Sequence, residues 1–257
     1  MTYTDDIKKA LFKFALRHGD DRLVLGHRVS EWCGHGPILE EDLALANLSL
    51  DLLGQATLWL KFAGETEGIG RDEDDLAYLR NEREFTNLLL TEQANEDFAY
   101  TTARQFYFDV YDYHFYNELK NSKDETLAGI AAKSLKESAY HLRHSSEWML
   151  RLGDGTDISH DKISAAVEDL WMYTGEMFFQ DETDELLLSE GIGVDFNSLK
   201  SKWYKNVSDV LSEATLDTPS IDEFMQIGGR NGLHTENLGF ILADMQYLRR
   251  AVPDAKW

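Results

Sequence analysis

"LALANLSLDLLGQATLWL" (43–60) decides between two readings of this chain. Asp51 is its only charge in 18 residues, close to the roughly 20 apolar residues that a membrane-spanning helix needs. Asn47, Ser49, Gln55 and Thr57 interrupt it, and Asn47, Asp51 and Gln55 follow one another in steps of four. Such steps bring side chains to one face of an α-helix. The stretch therefore predicts a helix over 39–65, buried on nearly all sides of a soluble bundle, whose polar stripe faces an interior site.

Helical periodicity extends over almost the whole chain, with no run of alternating β-branched residues. It predicts helices over 4–17 and 20–33, parted at Gly19, and further helices over 39–65, 75–92, 96–120, 125–152, 160–180 and 198–214. A short helical piece follows Pro219, and a last helix runs from a cap at Thr235 to about Arg250. Asp72 or Asp74 and Asn95 are candidate caps. Only 3 prolines occur in 257 residues, and no repeat or Pro/Ser-rich linker interrupts the pattern. One all-α domain spanning 1–257, built on a helical bundle, is expected.

The formal charge of −22 argues against nucleic acid or an anionic membrane as partner. It leaves open a basic protein partner or a solvated acidic surface. Cys33 is the only cysteine, so no internal disulfide forms, and a reducing cytoplasm is expected. The start, "MTYTDDIKKA", lacks the basic and apolar regions of a secretory signal.

"KESAYHLRHSSEW" (136–148) places Glu137, His141 and His144 at steps of four and three, an arrangement that invites a metal. Carboxylate-bridged di-iron bundles use a lone Glu on each of two helices and Glu-x-x-His on each of two others. Here Asp51 holds a lone-carboxylate position, one methylene shorter than Glu. Glu84 is followed three residues later by Asn87, and Glu137 by Tyr140, with His141 one step late. The 96–120 segment has no Glu between Glu96 and Glu118, and carries Arg104, Asp109 and Asp112 near its middle. The spacing thus predicts a vacated di-iron-like site of Asp51, Glu84, Asn87, Arg104, Glu137, Tyr140 and His141, with no metal and no catalytic residue. Arg104 would replace the metal as the cation, since a guanidinium can bridge two carboxylates. His141 and His144 could equally be surface or hydrogen-bonded helix residues. The aromatic residues of 96–120 suit a core or an interface.

The segments "LGHRVSEWCGHGPILEEDLALANLSLDLLGQA" (25–56), "NEREFTNLLLTEQ" (81–93), "AAKSLKESAYHLRHSSEWMLRLGDGTD" (131–157) and "GGRNGLHTENLGFILADMQYLRRAVPDAKW" (228–257) resemble the C subunits of bacterial ring-1,2-phenylacetyl-CoA epoxidases. The resemblance covers nearly the full chain. It implies a ferritin-like helical bundle with additional N- and C-terminal helices, itself without cofactor. It also implies a cytoplasmic monooxygenase complex in which the partner subunit holds di-iron. A reductase component would carry flavin, an iron–sulfur centre and NADPH, with small accessory subunits beside it. The role implied here is a structural one in aerobic phenylacetate breakdown. Two other readings stay open. One is an oxygenase with an atypical iron site on Asp51, Glu84, Glu137, His141 and His144, and the other is a free-standing helical adaptor.

Overall fold

Thr4 begins the first helix, its hydroxyl accepting from the Ile7 N–H at 3.4 Å, and Asp5 and Asp6 follow in the turn where negative charge opposes the helix dipole. In the computed structural model, which describes residues 3–220 and 223–253, this helix (α1, Asp5–Ser30) runs unbroken through Gly19. The break expected there does not form. A Cβ on Gly19 would lie 2.6 Å from Leu60 Cδ2, and one on Gly26 would lie 3.1 Å from Leu53 Cδ2. These glycines, two turns apart, let α1 lie close against α2 (Leu39–Glu67), and Ser49 Oγ fastens the pair by donating to the Gly26 carbonyl at 2.8 Å. The second helix ends at Gly68, whose φ of 73° is the left-handed stop that glycine allows.

Among the described residues, α2 is the one helix long and apolar enough to cross a membrane by length and composition. Only 44% of its most apolar window is buried, so the expectation of burial on nearly all sides is corrected. One face packs on α1, while Leu39, Leu43 and Leu50 are 71%, 56% and 66% exposed. The predicted polar stripe also divides, with Gln55 buried, Asp51 half-buried and Asn47 exposed.

The helix predicted over 75–92 is likewise corrected. Asp72 caps a short α3 (Glu73–Tyr78), a 3-10 turn covers Glu82–Glu84, Phe85 and Leu88 are extended, and a single turn, α4 (Leu89–Glu92), follows. The cause lies on α1. Asp20 takes the N–H of Thr86 at 2.8 Å and Asp21 takes that of Leu88 at 2.8 Å, removing donors that a helix would use. A helix over Glu236–Ala251 folds with α1 to α4, and together residues 1–94 and 228–257 make one compact unit.

Residues 95–227 make the second unit. It contains α5 (Phe98–Leu119), α6 (Glu125–Gly153), α7 (Asp157–Trp171), α8 (Glu182–Ser189) and α9 (Phe196–Glu213), which leaves Glu236–Ala251 as α10. Asp97, rather than the expected Asn95, caps α5, and Asp124, Asp181 and Asp195 cap α6, α8 and α9. Part of the chain's excess acid is thus explained by helix starts. The helix predicted over 160–180 stops at Trp171, and α8 arises where none was expected. Among the described residues no helix forms between Pro219 and the 3-10 turn at Gly229–Asn231, and Ile221 and Asp222 lie outside them.

In this unit α5 packs against α6, α7 and α9. Its aromatics form the core: Phe106, Tyr107, Phe108, Tyr111, Phe115 and Tyr116 are all buried, so none of these offers an exposed ring to a partner. Tyr107 donates to the Val167 carbonyl at 3.0 Å, and Trp203 Nε1 donates to the Tyr107 carbonyl at 2.9 Å. The buried polar ends of these two rings are therefore satisfied. The described residues contain helices and no strand, which is the all-α class that the periodicity predicts.

Candidate functional site

The polar chemistry of the first unit gathers where the run Asp20-Asp21 of α1 meets residues 80–92 and 228–235. Both carboxylates are fully buried, which costs several kcal/mol per charge unless it is compensated. Each receives an arginine fork. Arg80 grips Asp20 with both terminal nitrogens, and Arg230 reaches Asp21 at 2.9 and 2.8 Å. Burial pushes the Asp21 carboxyl up from its ordinary value, and the opposing pull of Arg230 and Arg22 limits the rise. Next to them His18 is held well below its ordinary value, by burial first and then by Arg22, Arg230 and Arg17. It is therefore a neutral ring, packed between Phe14 and Trp59.

A third buried carboxylate, Glu92, closes the network. It accepts from the Thr235 N–H at 2.6 Å and from Asn87 Nδ2 at 3.0 Å, and it faces His234 Nδ1 at 2.9 Å. The other ring nitrogen of His234 lies 2.9 Å from the Phe85 carbonyl. A carboxylate on one side and a carbonyl on the other are both satisfied only by a doubly protonated imidazole. Burial lowers the His234 pKa, but the hydrogen bond and charge of Glu92 outweigh it and leave the pKa raised.

In the second unit a polar seam runs between α5 and α6. Ser134, Ser138, His141 and Ser145 form the buried stripe of α6. Ser138 donates to Asp112, and Gln105 Nε2 donates to Asp109 Oδ1 at 2.6 Å. Burial drives Asp109 up to about 7, with the charge of His141 and hydrogen bonds from Ser145 and Gln105 acting against it. Asp109 thus changes charge near neutral pH inside a helix interface, within the field of His141.

The residues predicted as one vacated site fall into both units, with Asp51, Glu84 and Asn87 in the first and Arg104, Glu137, Tyr140 and His141 in the second. Glu84 and Asn87 do not share a helix face. Glu84 Oε2 accepts from the Asn81 N–H at 2.7 Å in the 3-10 turn, and Asn87 is buried beside Glu92. On α6, His141 is buried and Glu137 is half-buried, while Tyr140 is 41% exposed and stacks on His144 at 6.3 Å. Arg104 is fully buried, and its Nη2 donates to Asn95 Oδ1 at 2.7 Å. Among the described residues, no group of three or more His, Cys, Asp or Glu side chains is arranged to hold a metal. The residues do not fit a di-iron centre within either unit, because Glu84 and Asn87 lie outside any α-helix and Tyr140 is exposed.

Sequence reasoning missed Asp20, Asp21, Arg80, Glu92, Arg230 and His234. A signal existed in "RHGDDR" (17–22), four formal charges in the middle of an apolar-periodic helix. Such charges survive burial only when paired. An open groove of about 490 Å³ runs along α10, and its Arg250 donates to the carbonyls of Tyr78 and Arg80.

The seams explain how each unit is held together, and comparison with known proteins places the chain. A family model described as "Phenylacetic acid catabolic protein" matches residues 1–257. The chain is also similar to the C subunit of 1,2-phenylacetyl-CoA epoxidase from Escherichia coli (strain K12), with 50% identity over 247 residues, covering 96% of this chain and 99% of that one. The ten α-helices among the described residues are consistent with the ferritin-like bundle that the resemblance implies. On a match that runs from its first residue to its last, this chain belongs to the phenylacetic acid catabolic protein family.

Proposed function

We propose that this chain is the non-catalytic, structural subunit of a cytoplasmic phenylacetyl-CoA epoxidase, pairing with the subunit that binds di-iron and keeping it folded and active. The observation that carries the proposal is 50% identity to the C subunit of such an epoxidase over nearly the full length of both chains. The site supports it, because the buried carboxylates of Asp20, Asp21 and Glu92 are taken up by Arg80, Arg230 and His234, and Asn87 gives its amide to Glu92. Groups so engaged brace a fold and do not present open ligands. Within this reading 1–257 acts as a single ferritin-like domain, and Asp51, Glu84, Asn87, Arg104, Glu137, Tyr140 and His141 descend from an iron site. Arg104, fully buried, is the cation that replaced the metal. The complex would draw electrons from NADPH through a flavin and iron–sulfur reductase.

The test is reconstitution. The chain purified alone from iron-supplemented cells should hold well under one iron per chain and turn over no phenylacetyl-CoA. Turnover by the di-iron subunit with its reductase should rise when the chain is added. Near-stoichiometric iron, lost on His141→Ala, would instead establish an oxygenase in its own right. An Arg104→Ala variant of unchanged thermal stability would remove the replacement-cation role.

A further inference from the structure

The outer face of α2 is an apolar ridge that nothing in its own unit covers. Ile38, Leu39, Leu43 and Leu50 are 53%, 71%, 56% and 66% exposed, with Ala46 and Leu53 half-buried beside them. From Leu43 to Leu60 the only charge is Asp51, and it is half-buried. At roughly 100 Å² per aliphatic side chain, the four exposed ones offer about 400 Å². That is the size of the largest apolar patch on an ordinary monomer, and about half of one side of a standard interface.

A second observation falls on the same face. Gly54 lies in the interior of α2, where glycine is the least favourable residue after proline. Unlike Gly19 and Gly26, it is not explained by its own chain, since a Cβ built there meets nothing within 4 Å. The exposed positions Leu43, Asn47, Leu50, Gly54 and Thr57 follow in steps of 4, 3, 4 and 3. An average of 3.5 residues is the repeat along which two helices lie nearly parallel, side chains interleaved. A missing side chain at one such position is where a second helix approaches most closely.

We propose that this face of α2, from Leu39 to Thr57, is the seam on which the iron-binding partner subunit lays one of its helices, crossing closest at Gly54. The proposal deepens the pairing reading given above and rests on it. The seam is roughly 27 Å long at 1.5 Å per residue, which matches a helix and exceeds a short peptide. Charge argues against a second copy, which would bring another −22 to a face that offers no compensating base. An anionic bilayer is repelled for the same reason.

The test co-expresses the full chain with the di-iron subunit from the same host and measures pairing by affinity and size-exclusion chromatography. Leu50→Glu and Gly54→Leu, both at exposed positions, should each weaken pairing at least tenfold. The isolated variants should keep the wild-type helicity, and Gly54→Leu should melt no lower than wild type. If the wild type pairs and both variants pair equally well, the seam lies elsewhere and this proposal fails while the pairing reading stands. If the wild type does not pair at all, both fail together. Self-association that Leu50→Glu abolishes would make a second copy the occupant and overturn the proposal. So would sedimentation with phosphatidylcholine vesicles that the same variant loses.

Discussion

Replacing Arg230 by alanine should uncover the cost of burying Asp21. Arg230 gives that carboxylate both ends of its guanidinium and also donates to the Thr86 carbonyl at 2.8 Å. The exposures of the two side chains are 7% and 0%, so solvent does not screen the pair. In Arg230→Ala the carboxylate keeps the Leu88 N–H at 2.8 Å and the field of Arg22, which compensate it only in part. Breaking a buried pair by removing one partner costs about 3–5 kcal/mol. In a chain of this size each kcal/mol moves the melting temperature by about 2–4 °C, so a drop of roughly 6–20 °C is expected. The dependence on pH gives the cause. Asp21 already has a raised pKa in the folded state, and losing Arg230 raises it further. A carboxyl raised on folding loses stability as pH climbs from its unfolded value through its folded one. The deficit of the variant, measured by urea unfolding followed by circular dichroism, should therefore be largest at pH 8 and shrink toward pH 5. Adding Asp21→Asn should restore part of the loss at pH 8, because the unpaired charge is gone. A deficit below about 1 kcal/mol, equal at both pH values, would refute the reasoning.

His234→Gln should show the opposite pH trend. A histidine whose pKa is raised on folding stabilises fully below its unfolded value near 6.5 and loses that contribution as pH rises through the folded value, so the gap between wild type and variant should close from pH 6 to pH 9 in urea melts. Asp109→Asn tests the second unit. With its carboxyl at about 7, wild type is penalised as pH rises from about 4 to above 7, so the amide variant should be more stable at pH 8 by up to about 4 kcal/mol and gain nothing at pH 4. Gly153→Ala should destabilise by about 1–3 kcal/mol in thermal melts, because its Cβ would lie 2.2 Å from the Ala214 carbonyl oxygen, a backbone atom that cannot rotate away.

The long helices were legible because their periodicity and caps are local, as in 125–152, which the structure extends by one residue. Gly19 misled because its reason is a contact with Leu60 on another helix, and composition alone reads a glycine as punctuation. The 75–92 segment misled more deeply. Its helical period is real, but Asp20 and Asp21, more than 60 positions earlier, capture its backbone donors. The second polar seam was half legible, since Asp109, Asp112 and His141 stood out as charged or ionisable groups in mid-helix. The Asp21–Arg230 pair spans 209 positions, a separation that no motif spacing encodes.

That separation has a consequence for how the protein is made. The first unit is assembled from the two ends of the chain, with residues 95–227 intervening. During synthesis Asp21 and Glu92 leave the ribosome long before Arg230 and His234, the partners that compensate them in the fold. Their helices can form early, but the buried charges cannot lock until the final stretch emerges. Residues 230–235 thus complete the charge network of the first unit. A fragment that ends before Arg230 keeps Asp21 and Glu92 but lacks Arg230 and His234, the side chains that compensate their burial.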